Sequence, residues 1–180
     1  TLFRSWDYFP ENLDAIFYNS DIVVFGGTAL VPQIHNNLTE LLQKSKDNGC
    51  ITIVNTVFDF INEKENPHKR WPLGENDDSY KNIDLLITDK DEALRLSGKN
   101  SLEEAMQFFI SKQTGAIIIT NGANNVWIYA NNKVFTKVDI SELPVSKSIS
   151  SKIKDKLYNG DTAGCGDNFV GGVISSMIFQ

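Results

Sequence analysis

The sequence predicts an α/β fold of three layers, helix–sheet–helix, around a mostly parallel sheet that ends in an antiparallel hairpin. Three observations predict it. Short apolar runs of strand length recur at residues 21–25, 50–54, 83–87 and 116–120. The segments between the first two and the last two return an apolar residue every three or four positions, the helical period. After the fourth run, two short strand-like pieces follow one another across a turn pair. Continuously apolar strands belong in a parallel sheet covered on both faces, and alternating helices supply the cover.

The elements follow in order. Asp21-Ile22-Val23-Val24-Phe25 stops at Gly26-Gly27 and reads as a buried strand. From Pro32 to Lys46, Ile34, Leu38, Leu41 and Leu42 mark one helix face, with Pro32 in its first turn and Asn48-Gly49 as its stop. Cys50 to Val54 gives the next strand. Phe58 to Lys81 is mostly polar, holds Pro67 and Pro72, and reads as a long loop of the kind that is functional or mobile. Ile83 to Ile87 is the third strand. Thr88 or Asp89 caps the helix after it, and Ser97-Gly98 ends that helix. Ser101-Leu102-Glu103-Glu104 opens another, through about Lys112. Ala116 to Thr120 is the fourth strand. Val126 to Tyr129 and Val134 to Val138 pair as a hairpin across Asn131-Asn132, residues that tolerate positive φ. Ser141 to Tyr158 has weak periodicity and reads as an insertion or connector.

Composition narrows the function. The 180 residues carry a net charge of −6. The only dense basic cluster is Lys152-Ile153-Lys154-Asp155-Lys156, so nucleic acid is not the expected partner. No apolar run approaches the ~18 residues of a membrane span, and no signal-peptide pattern is present. Cys50 and Cys165 lie far apart and argue for a reducing compartment, hence a cytoplasmic location. His35 and His68 lack metal-ligand spacing and read as surface or structural residues. The chain begins at Thr1 and stops at Gln180 within a helix-like run, so a piece of a longer polypeptide is expected.

The chemistry concentrates in Asp161-Thr162-Ala163-Gly164-Cys165-Gly166-Asp167, which runs into an apolar helical segment. Gly164 and Gly166 let the backbone turn sharply and approach a ligand. A helix starting there aims free N–H groups and its positive dipole end at the turn, which makes an anion site. Asp167 sits at its mouth, where a carboxylate makes sense as the acceptor of a proton from an attacking hydroxyl. In open α/β sheets ligands bind beyond the carboxyl ends of the strands. Gly26-Gly27-Thr28, Asp89 with Glu92, and Thr120-Asn121-Gly122 all fall there. Each also has a plain structural reading: a strand-to-helix turn, acids favouring a helix dipole, and a β-turn. Trp127 and Phe169 read as core, and Arg70 as an exposed loop cation.

These residues resemble the ribokinase-type (PfkB) carbohydrate kinases, whose signature Asp-Thr-x-Gly-Ala-Gly-Asp is matched from Asp161 to Asp167. Their Asn-x-x-Glu motif is matched by Asp89 to Glu92 and their Thr-x-Gly strand end by Thr120 to Gly122. The order and spacing agree from Asp21 to Gln180. The resemblance implies a ribokinase-like core that transfers phosphate from ATP to a hydroxyl of a small carbohydrate. It implies Asp167 as the base, and Gly164, Cys165 and Gly166 as the anion hole. It implies Glu92 as organiser of Mg²⁺ through water, with Asp89, Thr120 and Gly122 at the nucleotide. Asp161 and the carbonyl of Ala163 correspond to a monovalent-cation site, for K⁺, and Gly27 and Thr28 would face the acceptor. On this reading residues 1–180 are the nucleotide-binding and catalytic core, without the amino-terminal substrate and lid part and the carboxyl-terminal end. The lid often pairs subunits, so a homodimer of the full-length protein is in keeping. Three departures stand out: Cys165 replaces alanine, Asp89 replaces asparagine, and the segment from Ser141 to Gly160 is longer than the family's usual approach to the signature. A non-catalytic sugar- or nucleotide-binding regulator, or a nucleoside or vitamin kinase on the same scaffold, remain alternatives.

Overall fold

The apolar runs become strands β1 (Ile22–Gly26), β2 (Ile51–Asn55), β3 (Leu85–Asp89) and β4 (Ala116–Thr120), all parallel, in the computed structural model. It describes residues 15, 19–147, 151 and 164–179. The strands β5 (Val126–Ala130) and β6 (Val138–Leu143) add on antiparallel, and the sheet order is β1-β2-β3-β4-β5-β6. Helices α1 (Pro32–His35), α2 (Leu38–Asp47), α3 (Phe60–Glu65), α4 (Lys90–Ser97) and α5 (Leu102–Ser111) connect the strands, and α6 (Cys165–Ile178) follows β6.

The strand order advances one step at a time, so right-handed crossovers bring the connecting helices to the same face. The core agrees. Leu38 and Leu42 of α2, Leu96 of α4, and Met106 and Phe109 of α5 form one cluster with Val54, Leu86, Ile117 and Ile119 of the sheet. The alternate strand residues, Ile53, Leu85, Ile87 and Ala116, meet Val170 of α6 on the other face, with Phe169 and Val173 packed alongside. That completes the expected three layers.

Several boundaries differ from the sequence reading. The Pro32–Lys46 helix is two helices. Asn37 turns its Nδ2 back to the Gln33 carbonyl, 2.8 Å away, and α2 restarts at Leu38. Its first turn is capped from a distance, because the Thr39 N–H donates to the Glu75 carboxylate at 3.2 Å. The Phe58–Lys81 stretch is no mere loop. It holds α3 and a 3₁₀ helix, Asp77–Asn82, and it buries Trp71, Leu73 and Tyr80. Trp71 donates from Nε1 to Glu63 at 3.1 Å and lies under the Arg95 guanidinium. Arg70 is not a loose cation either, since it pairs with Asp77 at 2.6 Å and covers the Phe108 ring. The hairpin turn is wider than two residues. Asn132 adopts φ 68°, as the turn chemistry expects, but its Oδ1 accepts from Lys137 N, and β6 starts only at Val138. Consequently Ser141 to Leu143, read as connector, belong to β6. The rest of that segment after Lys147 lies outside the described residues, Ser151 excepted.

Candidate active site

Three strand ends and one helix start converge on a cavity of about 220 Å³. β2 contributes Asn55 and, just past it, Thr56 and Val57. β3 contributes Ile87, Thr88 and Asp89, with Glu92 from the first turn of α4, and β4 contributes Thr120. α6 closes the cavity with Gly164, Gly166, Asp167 and Phe169. Parallel register sets the arrangement: Asn55 pairs with Ile87 and Asp89 with Thr120, so the ends of these strands lie side by side.

The α6 start is built by backbone geometry. Gly164 is its N-cap at φ 75°, the left-handed region that glycine enters without penalty. Asn168 locks the turn, its backbone N–H and its Nδ2 both donating to the Gly164 carbonyl at 3.0 and 2.9 Å. The N–H groups of Cys165, Gly166 and Asp167 precede the first intrahelical bond and remain for a ligand, at the positive end of the helix dipole. A Cβ added at Gly166 would meet nothing within 4 Å, so the missing side chain leaves open space on the cavity wall.

The opposite wall is acidic. Asp89 is the N-cap of α4, its Oδ1 accepting from Glu92 N at 2.8 Å, and Glu92 reaches back to Asp89 N in a capping box. Aspartate and asparagine cap equally well, so the exchange at Asp89 keeps the local fold. Glu92 is 8% exposed. Burial pushes its carboxyl above the usual carboxylate range. A hydrogen bond from Thr56 opposes this and the nearby Asp89 charge adds to it. All its hydrogen bonds arrive at Oε2, from Thr56, Thr88 and Asp89 N. Oε1 accepts none among the described residues.

The sequence-derived residues divide here. Asp89, Glu92, Thr120, Gly164, Gly166 and Asp167 come together. Cys165 is exposed beside them without lining the cavity, and Gly122, at φ 57°, turns the chain away beyond β4. Thr28 is buried and lines a separate space of about 10 Å³ with His35, Asp59 and Trp71, room for one water at most. Gly27 lines neither space; its N–H is spent on the Asn55 carbonyl at 3.0 Å. Asp161 and Ala163 lie outside the described residues. Asn55, Thr56 and Thr88 were missed. The signal available for them was their place at the carboxyl ends of parallel strands.

The family model of the pfkB family carbohydrate kinases matches residues 4–178. The chain belongs to that family. No curated protein matches the sequence. Solved structures share the pfkB fold. An Anopheles gambiae adenosine kinase in complex with P1,P4-di(adenosine-5) tetraphosphate matches with a TM-score of 0.67 and 19% identity, over 96% of this chain and 50% of that one. A Xylella fastidiosa fructokinase with bound ATP gives 0.63 and 17%, over 93% and 47%. A candidate ribokinase II from E. coli, in complex with ATP and Mg²⁺, gives 0.63 and 16%, over 91% and 47%. This pfkB chain thus spans about half the length of the solved proteins it matches.

Proposed function

We propose that this pfkB chain is the nucleotide-binding and catalytic core of an ATP-dependent sugar kinase, which moves the terminal phosphoryl group of ATP to a hydroxyl of a small carbohydrate. One observation carries the reading: a carboxylate, Asp167, stands in the first turn of a helix whose free N–H groups face a cavity at the ends of the parallel strands. The helix dipole favours an acid in that first turn, but beside a bound phosphate the same carboxylate meets like charge, which the dipole does not account for. As a base it takes the proton of the attacking hydroxyl while the N–H groups of Gly166 and its neighbours hold the charge on the transferring group.

The cavity suits the phosphate end of a nucleotide. It is smaller than the ~300–1,000 Å³ of sites that enclose a whole drug-sized ligand, and one wall is bare backbone at Gly166. Oε1 of Glu92 and the Asp89 carboxylate form a hard oxygen donor set of the kind Mg²⁺ takes, with water between. When bound, the ion would neutralise phosphate charge. Thr120, level with Asp89, offers a hydroxyl to the same space. ATP and Mg²⁺ in the E. coli relative, and ATP in the X. fastidiosa fructokinase, support this assignment. The adenosine kinase likeness keeps nucleosides on the acceptor panel.

The test is ADP release by the protein carrying this chain, with Mg·ATP and a panel of sugars and nucleosides, beside its Asp167→Asn variant. The expected result is turnover with a sugar, lowered about 10²–10⁴-fold in the variant. Turnover that survives Asp167→Asn overturns the assignment, as does ATP binding with no turnover on any acceptor. Turnover with a nucleoside alone would keep the kinase and replace the sugar.

A further inference from the structure

We propose that Thr56 is the positioning residue of this site: its hydroxyl clamps one oxygen of Glu92 so that the other is presented to the phosphate cavity. The inference rests on the phosphoryl-transfer reading above. Thr56 and Glu92 are 36 residues apart in sequence, on the segments that leave β2 and β3. Thr56 is itself fixed, because its N–H donates to the Ile87 carbonyl at 3.1 Å and extends the β2–β3 pairing by one residue. From there Oγ1 donates to Glu92 Oε2.

The other donors to that oxygen are weak. Asp89 N stands at 3.4 Å and Thr88 Oγ1 at 3.5 Å, both beyond the ordinary range. A capping box normally holds its glutamate through the bond back to the N-cap. Here that bond is stretched, and the Thr56 hydroxyl holds the same oxygen from the β2 side. Thr88 backs the clamp, its hydroxyl 2.7 Å from that of Thr56. Glu92, which lines the cavity, is therefore held by a side chain from the end of β2, and its Oε1 has no hydrogen-bond partner among the described residues. Without the clamp, the carboxylate regains its side-chain rotations and the stretched capping contact alone holds it.

Thr56→Val keeps the shape and removes the hydroxyl; Thr56→Ser keeps the hydroxyl. The measurement is the Mg²⁺ concentration needed for half-maximal thermal protection of the protein by a non-hydrolysable ATP analogue, followed by ADP release against Mg²⁺. Thr56→Val is expected to raise that concentration about 10–100-fold, the usual cost of losing a residue that orients a metal-site ligand. Thr56→Ser is expected to restore it. In a Glu92→Gln background Thr56→Val should change nothing further. An unchanged Mg²⁺ requirement in Thr56→Val overturns the proposal, and so does an equal shift in the Glu92→Gln background, which would make Thr56 a packing residue. Should the valine variant fail to fold, Thr56→Ala asks the same question. Wild-type protein with no Mg²⁺-dependent protection and no turnover overturns the phosphoryl-transfer reading, and this inference with it. Wild-type response with an indifferent Thr56→Val overturns this inference alone.

Discussion

At the scale of single residues, the site depends on one side chain being absent. Gly166 is at the second position of α6, outside the left-handed region, and a Cβ there would stand in open space. The fold therefore does not require glycine at 166; the proposed phosphate site does. Gly166→Ala should raise stability by up to about 1 kcal/mol, because alanine loses less backbone entropy on entering a helix. The same methyl would occupy the approach to the N–H groups and lower turnover about 10²-fold, the scale of losing one oxyanion donor. Gly171→Ala is the control. It lies in the same helix, its added Cβ also meets nothing within 4 Å, and it does not line the cavity, so it should gain the stability and keep the turnover. Paired melting curves and ADP-release rates check both. An active Gly166→Ala enzyme would mean that phosphate does not bind at the α6 start. The left-handed turn at Gly164 and the helix start after it were legible in the sequence because that geometry is local. Thr56 was not. Its role is defined by a partner on the neighbouring strand's helix, and no spacing in the chain announces that.

At the scale of elements, the four parallel strands were found in the sequence because a buried parallel strand is apolar without interruption, as Ala116 to Ile119 is. The Phe58–Lys81 stretch was misread for the opposite reason. Its core residues, Trp71, Leu73 and Tyr80, come singly among polar ones and join a core built largely from outside the stretch: Trp71 lies under Arg95, and Tyr80 packs on Phe108 and Phe109. Polar anchoring also operates at the amino-terminal end of β3. Asp84 is buried, its Oδ1 2.5 Å from Lys46 Nζ of α2, and its Oδ2 accepts from Thr52 N at 3.0 Å and from the Thr52 hydroxyl at 3.1 Å. One carboxylate thus ties two strands to a helix. Asp84→Ala leaves the buried Thr52 N–H and Lys46 without their acceptor, while the Thr52 hydroxyl keeps the Asn82 carbonyl at 2.6 Å, and should cost about 3 kcal/mol; Asp84→Asn, which retains acceptor capacity, should cost less. Urea midpoints would show it. The β3 residues of the site lie at the other end of the strand, so turnover by the folded fraction should hold in both variants. A harmless alanine would mean that the tie contributes nothing to stability.

At the scale of the molecule, the two faces of the sheet are unequal. Among the described residues, the face carrying α2, α4 and α5 buries sixteen clustered residues, while the face under α6 buries six, and Val170 is the one buried residue of α6 itself. Burial of each large aliphatic side chain contributes roughly 1.5–3 kcal/mol, so the helix that carries the anion loop rests on the weaker support. Local opening follows such differences, with ligand-binding elements at the low-stability end. Amide hydrogen exchange should therefore be slowest in β2, β3 and β4 and clearly faster in α6. A ligand that binds only the closed arrangement stabilises it by mass action. Adding Mg²⁺ with a non-hydrolysable ATP analogue should slow exchange in the first turns of α6, from Gly166 to Val170. The central strands should gain little, because they already exchange through global unfolding. Uniform slowing of the whole chain would mean that α6 opens only when the rest unfolds. No slowing in α6, with the analogue bound, would mean that nucleotide is held elsewhere and that the glycine-rich start of this helix is a structural turn.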